Sequence, residues 1–128
     1  MAVRVVRLGQ PRKRGEGLRI GTVRFPPRGV PKSRYASGNW YDVWMPDLAP
    51  SPATVKFAHA AKTDADWRAY ERRYRKEMSA PERRRLLGLL AALSKHADFC
   101  VGCYCEDERR CHRTILKSIL KDRGAVLA

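Results

Sequence analysis

FCVGCYCEDERRCHR, Phe99–Arg113, is the stretch on which the fold turns. Phe99–Cys105 is short and apolar, lies between a helical pattern and the charged loop EDERR, and reads as a strand. Past the loop, Ile115, Leu116, Ile119 and Leu120 fall three to four residues apart. That spacing predicts a helix with one inward stripe, closed by Gly124 as its C-terminal cap. A last strand feeding a last helix is a common ligand-site setting, because such sheets bind at the strands' carboxyl edge.

Working back from that junction, Val3–Leu8 and Leu18–Phe25 read as two more strands, the second stopped by Pro26-Pro27. Between them Gly9–Gly17 is a turn carrying the PRKR cluster. Residues 26–51 hold five prolines and two glycines. Irregular segments longer than ~12–15 residues tend to be functional or disordered. Trp40, Tyr41 and Trp44 argue for order, having apolar area to bury.

Three helical patterns follow. Ser51-Pro52 predicts a cap and first turn for a helix to about Ala61. Asp64 is the expected cap of a second helix to about Met78, with Trp67, Tyr70, Tyr74 and Met78 on one face as core. Ser79-Ala80-Pro81-Glu82 predicts a capping box for a third, with Leu86, Leu87, Leu89, Leu90 and Leu93 inward. His59 and His96 have ordinary helical readings. The expected architecture is α/β: one domain over residues 1–128, with a small central, largely parallel sheet flanked by about four helices.

Charge dominates the composition, with 27 Lys+Arg against 13 Asp+Glu, a net of +14. Residues 1–34 hold ten basic residues and one acid, Glu16. Such a field attracts polyanions: nucleic acid, phosphorylated metabolites or an acidic partner. An arginine-rich solubilising surface would look the same. No apolar run reaches the ~18–20 residues of a membrane span, and MAVRVVRLGQPRKR lacks the apolar core of a secretory signal. The expectation is a cytoplasmic protein with reduced thiols and no membrane partner.

Metal-like spacing in the cysteine segment meets a geometric objection. Side chains alternate along a strand, so Cys100 and Cys103 face opposite ways and cannot share an ion. They read as packing residues. Cys103 and Cys105 share a face, but at ~3.3 Å rise per residue they are far apart for one tetrahedral ion. Cys105, Cys111 and His112 would serve only if the loop folds back, and adjacent helical residues diverge by about 100°. The expectation is therefore no metal and no cofactor. A redox pair would need Cys105 and Cys111 to meet, and arginines near a helix start would favour the thiolate. A phosphatase loop is excluded, because the sixth residue after Cys105 is Cys111, not arginine. An arginine-assisted anion site at the strand–helix junction remains.

Several motifs together resemble a known family. Cys105-Glu106 at a strand end, with Cys111-His112-Arg113 opening a helix, resembles the C-E…C-H-R signature of the domain of unknown function 488 family. Arg24-Phe-Pro-Pro-Arg28-Gly29 is similar to the R-L-W-P-R-G segment of its YeaO-like branch. Trp40 with Leu48-Ala49-Pro50-Ser51, and Trp67-x-x-Tyr70-x-x-Arg73-Tyr74 followed by Glu77, are similar to that branch too. The resemblance covers about residues 3–123. It departs at Val23, where the family often has an acid, and at Pro26, where it has tryptophan. If that acid serves in catalysis, this chain either lacks that step or uses Glu106 instead.

The resemblance implies an α/β fold and a shared pocket, but brings no established reaction. In that pocket Arg24, Arg28 and Arg113 would hold an anionic, phosphorylated or nucleic-acid-derived ligand. Glu106 and His112 are the acid–base candidates, Cys105 and Cys111 the nucleophile candidates. Trp40 and Trp44 would form an apolar wall. Two other functions compete with this one. One is a non-catalytic nucleic-acid-binding module, the other a small thiol-redox or zinc protein.

Overall fold

The structure is a computed structural model that describes residues 1–105 and 110–128. Four strands form one parallel sheet: β1 (Val3–Arg7), β2 (Leu18–Gly21), β3 (Val43–Trp44) and β4 (Phe99–Cys103). Their spatial order is β1-β4-β2-β3, so the last strand lies inside the sheet. Every residue of β4 is buried, which explains its unbroken apolar character: strands covered on both faces have no polar face to show. The chain's end covers the outer edge of β1, where Val3 N–H donates to the Val126 carbonyl and Ala128 N–H to the Val3 carbonyl. Covering an edge in this way removes a template for strand-to-strand aggregation.

The helices are α1 (Pro52–Ala60), α2 (Asp64–Met78), α3 (Pro81–Leu93) and α4 (His112–Asp122). Val3, Ile20, Phe99 and Val101 from the sheet share one core with Tyr70 and Tyr74 of α2, Leu87 and Leu90 of α3 and the Ile115–Leu120 stripe of α4. The opposite alternation of β2 and β4 places Arg19 and Cys100 beside buried Glu16. Arg19 pairs with Glu16 through Nε and donates from its other nitrogens to the carbonyls of Gln10, Pro11 and Asn39. A buried guanidinium needs such partners, and this one ties the Gly9–Gly17 loop to the segment before β3. The α/β architecture expected from the sequence is the one observed.

Local expectations fared unevenly. The strands end earlier than the apolar runs, because Thr22–Phe25 and Tyr104–Cys105 leave the ladder to build the carboxyl edge. Within 26–51 lie β3 and two single 3-10 turns, Lys32–Arg34 and Pro46–Leu48. β3 had no visible signal: it has only two residues, and it pairs with β2 because Gly21 lets Tyr41 pack against bare backbone. A Cβ on Gly21 would sit 2.3 Å from the Tyr41 ring. Thr63, not Asp64, caps α2, with Asp66 completing the box. Ser79 closes α2 by donating to the Lys76 carbonyl, so α3 starts without a side-chain cap. On α3, Leu89 and Leu93 are exposed, Leu87, Leu90 and Ala91 are buried, and Leu86 packs partly buried against the core.

Residues 48–51 are fastened from three sides. Tyr74 Oη donates to the Leu48 carbonyl (2.7 Å), and Arg24 donates to the carbonyls of Ala49 (3.2 Å) and Pro50 (3.0 Å). Glu77 accepts from Ser51 N–H (2.9 Å), Ser51 Oγ (2.7 Å) and Thr54 Oγ1 (2.7 Å). Burial alone would raise the Glu77 pKa, but these hydrogen bonds, with Arg83 nearby, hold it below the ordinary 4.5. A carboxyl lowered on folding stabilises above its unfolded pKa and loses that contribution as pH falls through the folded value. Glu77→Gln is expected to cost about 1–3 kcal/mol at neutral pH and much less near pH ~3. Urea unfolding of both proteins at the two pH values checks this, and an equal loss at both would contradict it.

Candidate functional site

The carboxyl ends of parallel strands share one edge of the sheet, and a cleft of about 730 Å³ opens there. β1 leads into it with Arg7 and Leu8, β2 with Val23 and Arg24, and β4 with Cys103, Tyr104 and Cys105. α4 closes it with Cys111 and His112, after Arg110. The 26–51 segment adds Arg28, Trp40 and Pro50, and α1 and α2 add His59 and Tyr70. Trp40 lies over Gly9, whose Cβ would stand 2.9 Å from the indole and whose φ of +93° favours glycine in any case. Trp40 meets Tyr104 edge to face at 5.8 Å, and Tyr104 Oη donates to the Phe25 carbonyl (2.9 Å). An aromatic wall results.

The floor is made by two cysteines and one histidine. Cys111 is the N-cap of α4 and has extended backbone, φ −138° and ψ 147°. It therefore escapes the angular spacing of helical neighbours, and its sulfur comes within 3.8 Å of Nδ1 of His112. Nε2 of His112 lies 2.6 Å from the Thr22 carbonyl oxygen. A carbonyl only accepts, so Nε2 carries the proton and Nδ1 turns its lone pair toward the thiol. Burial pushes the His112 pKa down to about 4 against the opposing Thr22 bond, with the Arg113 charge a lesser push in the same downward direction. The imidazole is neutral near pH 7. Cys103 meets Cys111 sulfur to sulfur, in the place of a disulfide, with Cα atoms 7.9 Å apart. One ligand atom from each of Cys103, Cys111 and His112 falls within 4.8 Å of the others.

Arg24, Arg28, Trp40, Cys105, Cys111 and His112, singled out from sequence, all line this one cleft. Arg113 does not: it is buried at the start of α4. Trp44 does not line it either, being partly exposed while its indole N–H holds the Val23 carbonyl (2.8 Å). Glu106 and Arg109 lie outside the described residues. The cysteine expectations need revision. Cys100 is a packing residue, its thiol against the Glu16 carbonyl and pushed up to about 12 by burial and then Glu16. Cys103 is buried as expected, and it, rather than Cys105, meets Cys111. Alternation stops at the bend of Tyr104, which leaves Cys105 exposed. The awkwardness foreseen for joint ligation by Cys111 and His112 disappears with the extended Cys111 backbone.

A family model described as "Active DUF488-N3 subclade", DUF488-N3a, matches residues 3–124. The chain belongs to the domain of unknown function 488 family. No curated protein matches it, and no solved structure does. The C-E…C-H-R signature of this DUF488 chain thus contributes Cys105, Cys111 and His112 to one cleft, with Glu106 beyond the described residues. Sequence reasoning overlooked Arg7, Tyr104 and Thr22, while Tyr70, read as core and buried there, also reaches the cleft. Thr22 acts through its carbonyl, which no side-chain motif reveals.

Thiol labelling tests the assignment of the free cysteines. Cys105 is exposed, although partial desolvation raises its pKa more than Arg113 and Arg7 lower it. In the native, reduced protein iodoacetamide is expected to label Cys105 slowly and Cys100 only after unfolding. Labelling of Cys100 ahead of Cys105, read by peptide mapping, would contradict the placement.

Proposed function

We propose that the cleft binds an anionic ligand of the phosphorylated or nucleic-acid-derived class. The observation that carries this is the lining itself: Arg7, Arg24, Arg28 and Arg110, the last paired with Asp64 (2.9 Å), border one cleft. Arginines around a low-dielectric recess favour phosphate and carboxylate oxygens through charge-assisted, often bidentate hydrogen bonds. Trp40, Tyr104 and Tyr70 supply apolar and aromatic surface for a planar or hydrophobic part of the same ligand. Cys105, Cys111 and His112 are the lining groups able to exchange a proton or electron pair with it. The description of the matched subclade as active agrees with a working site.

Arg24 is already committed to the Ala49 and Pro50 carbonyls, so its removal would also loosen the loop. Arg28 is exposed and is the cleaner probe. Calorimetric titration of the full chain with inorganic phosphate and a panel of mononucleotides is expected to show binding that weakens with salt. Arg28→Ala should weaken it roughly tenfold or more, since hydrogen bonds to charged groups contribute about 1.5–3 kcal/mol. Binding of generic DNA or RNA that is unchanged by Arg28→Ala, with no mononucleotide bound, would overturn the proposal in favour of a basic surface that binds nucleic acid.

A further inference from the structure

We infer that Cys103, Cys111 and His112 form a three-ligand site for a zinc-type cation at the floor of the cleft. Their ligand atoms lie within 4.8 Å of one another. Zinc bonds of about 2.3 Å to sulfur and about 2.0–2.1 Å to nitrogen, at tetrahedral angles, separate ligand atoms by about 3.5–3.8 Å. Nδ1 of His112 already lies 3.8 Å from Cys111 Sγ.

The support behind the imidazole points the same way. A ligating histidine characteristically donates its other N–H to a carboxylate, carbonyl or water, which fixes both tautomer and ring. Here Nε2–H is held by the Thr22 carbonyl at 2.6 Å, and Thr22 Oγ1 lies 3.3 Å from the same nitrogen. The lone pair on Nδ1 is left facing the cysteine pair.

Backbone spacing separates this site from a plain cross-link. Relaxed disulfides hold their Cα atoms about 4.4–6.8 Å apart, and those of Cys103 and Cys111 are 7.9 Å apart. An ion held between two sulfurs spans a longer Cα separation than a direct sulfur–sulfur bond does. Two thiolates and an imidazole suit zinc and disfavour hard magnesium or calcium. All three residues line the cleft, so a fourth ligand would come from its contents. The site deepens the proposed function, sharing its cleft but not depending on its anion.

The test uses the full chain, stripped of metal, reduced with a phosphine and titrated with cobalt(II), then zinc. One equivalent of cobalt should give a near-ultraviolet thiolate charge-transfer band and the visible bands of four-coordinate cobalt. Zinc should displace it, and X-ray absorption of the zinc form should show two sulfurs and one nitrogen. Cys111→Ser and His112→Gln should each weaken binding at least about tenfold, while Cys100→Ser keeps the band. A wild-type spectrum without the thiolate band overturns the site, as does a band that survives in both Cys103→Ser and Cys111→Ser. Because the wild type alone can refute the site, a variant that fails to fold does not shield it. Loss of nucleotide binding with the cobalt band intact would count against the anion proposal alone; nucleotide binding without the band would count against the metal site alone.

Discussion

The buried hydrogen bond from His112 Nε2 to the Thr22 carbonyl, 2.6 Å long, joins the start of α4 to the chain just beyond β2. It fixes the start of α4 against the residue that follows β2, and so what the last helix presents to the cleft. It also decides a tautomer. With Nε2 protonated and the ring buried, Nδ1 is the only nitrogen left to act, and it faces Cys111. The chemistry available to the floor follows from the backbone carbonyl of Thr22, the residue directly after β2.

The cleft's other wall depends on the segment at residues 48–51. Arg24, just past β2, and Tyr74 and Glu77 of α2 all bond to it. Those residues carry much of the resemblance to the domain of unknown function 488 family, which gives that pattern a physical reason. They hold a proline-containing loop in register with α1, and so set one side of the site. Arg24 has both roles, since it lines the cleft while fastening the loop.

The architecture was legible because α4 has an unambiguous helical period and β4 is a short unbroken apolar run, and because an apolar strand ending in charged sequence implies a carboxyl-edge site. The converging residues Arg24, Arg28, Trp40, Cys105, Cys111 and His112 were legible through motifs. What failed was local. A redox pair was sought in Cys105 and Cys111, whereas the chain bends at Tyr104, Cys105 is exposed and Cys103 meets Cys111. Cys111 was assigned helical geometry when it is the extended cap before the helix. β3 and the Thr22 carbonyl were invisible because each is a matter of backbone brought together by tertiary contacts.

The account rests on a neutral His112 with its proton on Nε2 and its lone pair toward the cysteines. Imidazole nitrogen-15 shifts, recorded by long-range proton–nitrogen correlation on reduced, metal-free protein, report tautomer and charge directly. With a pKa of about 4, His112 should show the Nε2–H tautomer, unchanged from about pH 5 to 8. A proton on Nδ1, or titration of His112 within that range, would contradict it.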